Sequence, residues 1–131
     1  MPTNISWTLN VDVQSGPKIS EAHTVQVDAF DRIEVVVPNT STDKEIDIQP
    51  GASGKVKVLL IRSSIYGDNL KFKVHAAAAT DERVLNDVVF LTGKGGMALL
   101  EGPTAPLDKL FVTNTTGKNA VLEILVGRSA I

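Results

Sequence analysis

The amino-acid sequence predicts an all-β fold, an antiparallel and jelly-roll-like β-sandwich of about nine or ten short strands. Two observations predict it. Apolar and polar residues alternate with a period of two along most of the chain, as they do in strands with one buried face. Glycine- and proline-containing turn signals interrupt this alternation at intervals of roughly ten residues, which is typical of sandwiches and barrels.

The predicted strands follow one another along the chain. The first alternates Ile5, Trp7, Leu9, Val11 and Val13 with polar residues and ends before Gly16-Pro17, which indicates a strand with one buried face. The later strands either repeat this alternation or are apolar on both faces. They are predicted at residues 23–29, 32–38, 44–49, 55–64, 70–76 and, as two apolar runs joined by a polar turn, 110–128.

Two polar segments predict hairpins. The turn "PGASG" would pair residues 44–49 with residues 55–61, so that Glu45 and Asp47 share an outer face with Lys55 and Lys57. Opposite charges across neighbouring strands stabilise such a pair. The turn inside "LFVTNTTGKNAVLEILVGR" predicts a closing hairpin.

The segment "AAAATDERVLND" allows at most one short helix, near residues 80–87, with Thr80 as its N-cap. A loop that crosses from one sheet to the other is the alternative. The glycine-rich "GKGG" at residues 93–96 predicts a plain turn, because a phosphate-binding loop needs a Ser or Thr directly after its lysine.

The amino-acid composition limits the classes of function that the protein can have. The 131 residues predict a single domain, residues 1–131, with a formal net charge of −2 and basic residues spread along the chain, so no nucleic-acid partner is expected. The absence of cysteine excludes disulfides, cysteine zinc sites and thiol nucleophiles. No apolar window approaches the roughly 18 residues of a membrane span. The start "MPTNISWTLNVDVQ" does not resemble a signal peptide, and we expect cytoplasmic synthesis.

No motif predicts a catalytic residue, a cofactor or a metal. His23 and His75 lie far apart and neither has a second histidine nearby, whereas metal sites of β-barrels use closely spaced histidines with a carboxylate. The Gly-x-Ser-x-Gly elbow of serine hydrolases is absent. We therefore expect a protein that is not an enzyme.

The main functional hypothesis rests on strands that are apolar on both faces. In the last strand Ala120, Leu122, Ile124 and Val126 share one face, and Val121, Glu123 and Leu125 share the other. Residues 58–61, "VLLI", and Val36 show the same feature. Apolar outer faces need a cover. Residues 76–87 could supply it, a β-bulge could shift the register, or neighbouring subunits could pack there.

We favour cover by neighbouring subunits, because residues 76–87 are too few to cover three dispersed strands. The hypothesis is a homo-oligomeric structural or assembly protein. Its predicted interface residues are Val36, Leu59, Ile61, Val121 and Leu125.

The alternative is a carbohydrate-binding or adhesin-type module. Such modules present aromatic side chains at an exposed face or at loop tips. Among the aromatic residues only Phe30 and Tyr66 lie near predicted turns, so a bound sugar would lie against one of these two rings.

The order of these elements resembles the small β-sandwich structural proteins of tailed bacteriophages and prophages. The resemblance rests on "IEVVVPNTSTDKEIDIQPGASGKVKVLLIRSS" as central strands, on "LTGKGGMALLEG" before the end, and on the closing "LFVTNTTGKNAVLEILVGR". It implies a virion component, such as a capsid decoration protein, a head–tail joining protein or a tail or fibre accessory. It implies no active site.

Overall fold

A computed structural model describes residues 2–48, 56–74, 82–100 and 109–129. Antiparallel sheets dominate these residues and confirm the all-β prediction. The described residues form ten strands and one short helix: β1 Thr3–Asp12, β2 Lys18–Val27, β3 Ala29–Val37, β4 Ser41–Asp47, β5 Val56–Ser63, β6 Leu70–Val74, β7 Arg83–Val84, β8 Val89–Thr92, α1 Gly93–Met97, β9 Lys109–Asn114 and β10 Ala120–Arg128.

Eight of the strands pair in a nested order. β3 pairs with β10, β4 with β9, β5 with β8 and β6 with β7, always antiparallel. Two more ladders, β10–β5 and β6–β9, join these pairs into a first sheet of order β3-β10-β5-β8 and a second sheet of order β4-β9-β6-β7. The chain therefore changes sheet at each step from β3 to β10, except between β6 and β7.

Both predicted hairpins are wrong. β4 and β5 belong to different sheets, and so do β9 and β10. Glu45 therefore pairs with Lys109, at 3.2 Å, and Asp43 pairs with Lys73, at 3.3 Å. Lys55 lies outside the described residues. A turn signal fixes where the chain reverses, but the sheet that the next strand joins is set by non-local packing.

The core contains apolar side chains from both four-stranded sheets. The alternation along β4 and β6 predicts that Ile46, Ile48, Leu70, Phe72 and Val74 point inward, and all five are buried. The first sheet adds Leu59, Ile61, Leu122, Ile124 and Val126 to the same cluster. At about 25 cal/mol per Å² of apolar area, this burial is the main stabilising term of the fold.

The short helix lies in a different place from the predicted one. Residues 75–81 lie outside the described residues, and residues 82–87 contain β7 instead of a helix. The glycine-rich turn predicted at residues 93–96 forms α1. Gly93 leaves β8 with a φ of 77°, and buried Met97 and Leu100 attach the helix to the core. Three glycines disfavour a helix here, so tertiary packing rather than local propensity holds it.

A buried asparagine holds the chain between β9 and β10. The Asn114 Nδ2 donates to the carbonyl oxygens of Val37, at 2.9 Å, and Lys118, at 2.8 Å. Its Oδ1 accepts from the backbone N–H of Thr116, at 3.0 Å, and from the Thr116 hydroxyl, at 2.7 Å. Both amide hydrogens and the carbonyl oxygen thus have partners, as burial of a polar group requires.

β1 and β2 form a separate two-stranded ribbon of ten residue pairs. Apolar and polar residues alternate along β1 as predicted, but the apolar residues are not buried along the whole strand. Ile5 and Trp7 are half-buried, whereas Leu9, Val11 and Val13 are exposed. The far end of the ribbon therefore extends into solvent with apolar side chains on one face.

We expect Asn114→Asp to lower the free energy of unfolding by about 3 kcal/mol or more, because a carboxylate cannot donate to the two carbonyl groups and brings a buried charge. Denaturant unfolding measures the change. Asn119→Asp is the matched control: Asn119 is exposed and its Oδ1 only accepts, from the Asn39 N–H at 2.9 Å, so its effect should stay within about 0.5 kcal/mol. Equal losses in the two variants would contradict the role given to Asn114.

Candidate functional site

One face of the first sheet points away from the core, and we call it the outer face. Register defines it, because residues directly opposite each other in a ladder share a face. Its members on β3, β10, β5 and β8 are Phe30, Arg32, Glu34, Val36, Val121, Glu123, Leu125, Gly127, Val58, Leu60, Arg62, Phe90 and Thr92.

The ribbon covers one end of the outer face. A Cβ on Gly127 would lie 2.8 Å from Ile5 Cδ1 and 3.0 Å from Val27 Cγ1, so the glycine permits a contact that any other residue would obstruct. Lys57 Nζ donates to the Gln26 carbonyl at 3.1 Å, beside a cleft of about 430 Å³ between β2, β5 and α1. Val58 is fully buried here. The N-terminal strands are thus a cover that the sequence did not indicate.

The ribbon continues across the sheet to its edge. The Trp7 ring packs edge-on against Phe90 of the edge strand β8, with centroids 5.4 Å apart. The Trp7 ring centroid also lies 5.1 Å from that of its cross-strand partner His23, and His23 Nε2 lies 2.8 Å from Glu21 Oε1. The contacts of His23 are therefore made within the ribbon, to Trp7 and Glu21.

A cluster of four charges crosses the middle of the outer face. Glu34 and Glu123 lie directly opposite each other, and such like-charge pairs destabilise a sheet. Arg32 offsets the repulsion, because it donates a hydrogen bond to Glu123 and forms an ion pair with Glu34 at 3.6 Å. Arg62 Nε lies 2.7 Å from Glu123 Oε1. The hydrogen bond from Arg32 and the charges of both guanidiniums hold the pKa of Glu123 below its ordinary value of 4.5, against some desolvation.

The far end of the outer face carries an apolar pair that the described residues leave exposed. Val121 and Val36 lie directly opposite each other, with 36% and 51% of their surfaces exposed. Leu125 lies on the other side of Glu123 and is half-buried. The structure thus places three of the predicted interface residues on one face.

The other two predicted interface residues are not on this face. Leu59 and Ile61 are 0% and 1% exposed and belong to the core. Val58 and Leu60 take the outer positions instead, opposite Gly127 and Leu125. The predicted face of β5 was wrong because a run of four apolar residues gives no indication of which side faces the core.

A bulge is present, but it does not explain the apolar run. The register between β5 and β10 shifts at Arg128, which pairs with Val56, while Gly127 pairs with Val58. Lys57 is the unpaired extra residue, which allows Val56 to join the core. The shift precedes residues 58–61, so the alternation of these residues is genuine.

The two aromatic residues proposed for sugar binding lie apart. Phe30 lies opposite Gly127, and Tyr66 borders a cleft beside Val121. Six residues of β10 separate these points, or about 20 Å. Phe30 is 50% exposed. The Tyr66 Oη accepts the Ser63 N–H at 3.1 Å, which fixes the ring against the end of β5.

The cleft beside Tyr66 has the chemistry of a polar ligand site. Its volume is about 310 Å³. It offers carboxylate, guanidinium and hydroxyl groups around the ring, which suit a ligand with many hydroxyls. The lining residues are Glu34, Arg62, Ser63, Ser64, Tyr66, Val121 and Glu123.

Metal-ligating side chains do not gather anywhere in the described ranges: no group of three or more His, Asp or Glu could hold an ion there. Nor does any helix in the described part of the chain have the length and apolar character to cross a membrane.

Together, fold and site define a β-sheet protein with exposed apolar side chains on a sheet face and on a projecting ribbon. Comparison with protein-family models, with curated proteins and with solved structures finds no match.

We expect Gly127→Ala to weaken the contact between ribbon and sheet, because the added methyl meets Val27 and Ile5, and overpacking of this kind costs about 1–3 kcal/mol. Faster limited proteolysis within residues 2–27 and a lower Tm measure the effect. Gly67→Ala is the control, since a Cβ there meets nothing within 4 Å. If the two variants were cleaved at the same rate, the ribbon would not depend on Gly127.

Proposed function

We propose that the protein is a non-enzymatic structural component that self-associates through the outer face of its first sheet. The observation that carries the proposal is the exposed Val36–Val121 pair on two adjacent strands. A sheet face that borders water normally carries polar residues. An exposed apolar pair bordered by charged residues fits the apolar centre and polar rim of a protein–protein contact.

We further propose that the two four-stranded sheets pack face to face as an eight-stranded jelly roll. The nested pairing of first with last, second with second-last and so on supports this topology, because a jelly roll is one long hairpin rolled into two sheets. The shared core cluster and the Asn114 bond from β9 to the last residue of β3 support it as well.

Burial of the outer face would supply most of the free energy that such an assembly needs. Apolar burial gives about 25 cal/mol per Å², and a stable interface buries about 1,000 Å² or more in total. Arg32 and Arg62, each 62% exposed, would lie at the polar rim beside the valines. Charges at a rim set the orientation and the specificity of docking more than its affinity.

We assign the assembly to a virion or prophage on the sequence resemblance to phage structural proteins. A jelly roll agrees with that assignment but does not carry it, because the same architecture occurs in capsid proteins and in lectins. Repeated copies that contact through one sheet face can form a closed ring, or they can decorate a larger shell. Capsid decoration, head–tail joining and tail or fibre accessory roles all use such contacts.

We expect Val121→Glu to convert the oligomer into a 14.0 kDa monomer, since burying an unpaired carboxylate at a contact costs several kcal/mol. Light scattering over a hundredfold dilution, with circular dichroism to verify folding, measures it. Leu99→Glu is the matched control, because Leu99 is 70% exposed and lies outside the outer face. A wild-type protein that is monomeric at every concentration, or a Val121→Glu oligomer of unchanged mass, would remove this face from any assembly.

The cleft at Tyr66 favours a second candidate function, carbohydrate binding. A fixed aromatic ring beside carboxylate, guanidinium and hydroxyl groups is the arrangement in which a sugar stacks and hydrogen-bonds. The cleft shares Val121 with the proposed interface, so a sugar and a second copy would compete for this end of the sheet.

For this candidate we expect Tyr66→Ala to abolish glycan-array binding, because the stacking surface is lost, and Tyr66→Phe to retain most of it. Phe30→Ala should leave binding unchanged, since Phe30 lies about 20 Å away. If no glycan binds the wild-type protein, or if Tyr66→Ala binds equally well, the sugar hypothesis is wrong.

A further inference from the structure

The ribbon of β1 and β2 has two chemically distinct faces. Its polar face pairs Asn4, Ser6, Thr8, Asn10 and Asp12 with Gln26, Thr24, Ala22, Ser20 and Lys18. Its apolar face pairs Ile5, Trp7, Leu9 and Val11 with Val25, His23, Glu21 and Ile19. A two-stranded ribbon is marginal on its own in water, so packing of its apolar face stabilises it.

Only half of the apolar face is packed. Near the base, Val27 is buried and Ile5 and Val25 are half-buried against the outer face. Beyond Trp7, which meets the edge strand, Leu9, Val11 and Ile19 have 49%, 40% and 55% of their surfaces exposed. We call these three residues the arm.

We propose that the arm packs on the outer face of a second copy of this chain, over the uncovered Val36–Val121 pair. The proposal rests on the self-association proposed above and names the element that makes the contact. Inside one chain the base of the same ribbon face already packs on the same sheet face. The arm extends the apolar face of the ribbon, and the Val36–Val121 pair extends the outer face of the sheet. A second copy offers both surfaces at once.

Symmetry and charge favour this occupant. In a two-fold pair the contact between arm and sheet end occurs twice, so each contact needs to bury only about 500 Å² for the pair to reach the roughly 1,000 Å² of a stable interface. Glu21, the one carboxylate among the paired residues of the apolar face, would approach the charge cluster next to this sheet end, in which Arg32 and Arg62 are each 62% exposed.

The first experiment replaces Leu9, Val11 and Ile19 with threonine, which keeps strand propensity and removes apolar surface. Sedimentation over a hundredfold dilution should show a dimer dissociation constant raised at least about 100-fold, since three apolar contacts are lost twice. The matched control is Asn10→Thr with Ser20→Thr, the adjacent cross-strand pair on the polar face, which should associate as the wild type does.

The outcomes separate the two proposals. A wild-type oligomer that the arm variant leaves unchanged overturns the arm while self-association stands. A wild-type protein that is monomeric throughout overturns both. An equal loss in the control and the arm variant shows damage to the ribbon as a whole and overturns the assignment to the apolar face.

A second experiment uses the absence of cysteine. Val11→Cys and Val121→Cys proteins are prepared separately, mixed, and treated with a short bis-maleimide cross-linker. The proposal predicts a covalent product of two chains only in the mixture. A product from Val11→Cys alone indicates arm-to-arm contact and overturns the proposal, as does the absence of any product from a mixture that sediments as a dimer.

Discussion

The Asn114 carboxamide is the interaction on which the two-sheet arrangement depends. Nested pairing sends the chain from one sheet to the other after β3 and again after β9, and both crossings meet at this side chain. It bonds the last carbonyl of β3 and the turn before β10, and the Asn114 carbonyl accepts the Thr40 N–H between β3 and β4, at 2.8 Å. Asn39 Oδ1 accepts the Gly117 N–H, at 3.0 Å, and extends the network. A buried amide with every hydrogen and acceptor satisfied fixes one geometry, because each alternative leaves a polar group unpaired.

β10 lies inside the first sheet, and the character of the outer face follows from that position. The last residues of β10 need a glycine, because the ribbon passes over them. Near the start of β10, Val121 lies opposite Val36 on β3. The ribbon contacts the other end of β10, at Gly127. Within the described residues, the ribbon therefore covers one end of the outer side of β10 and leaves the other end exposed. The charge cluster of Arg32, Glu123 and Arg62 separates the two ends, so contacts at the uncovered end do not have to disturb the ribbon.

Alternation in the sequence predicted strands and faces well wherever a charge marked the water side. Glu123 marks the water side of β10, and Val36 and Val121 do lie on the outer face of the first sheet. The "VLLI" run contains no such marker, and its two faces were exchanged. Pairing was harder, because the nested partners are far apart in sequence and turn composition carries no information about them. Helix α1 and the contact at Gly127 also depend on distant residues. A glycine inside an apolar strand is a signal of close approach, and it was the one local sign of the ribbon's position.

The covered and uncovered halves of the ribbon favour assembly over sugar binding as the main role. A ligand cleft at Tyr66 needs a supporting scaffold, and it gains nothing from an apolar arm that extends into water. An assembly protein uses both features, because the arm and the sheet end present the same kinds of surface that already pack inside one chain. The arm exposes Leu9, Val11 and Ile19, and a partner that buried them would gain about 25 cal/mol per Å² of apolar area. The cleft lies beside Val121, so a bound sugar would occupy surface that the arm of a second copy needs. Competition between them would make the sugar a regulator of assembly instead of an independent function.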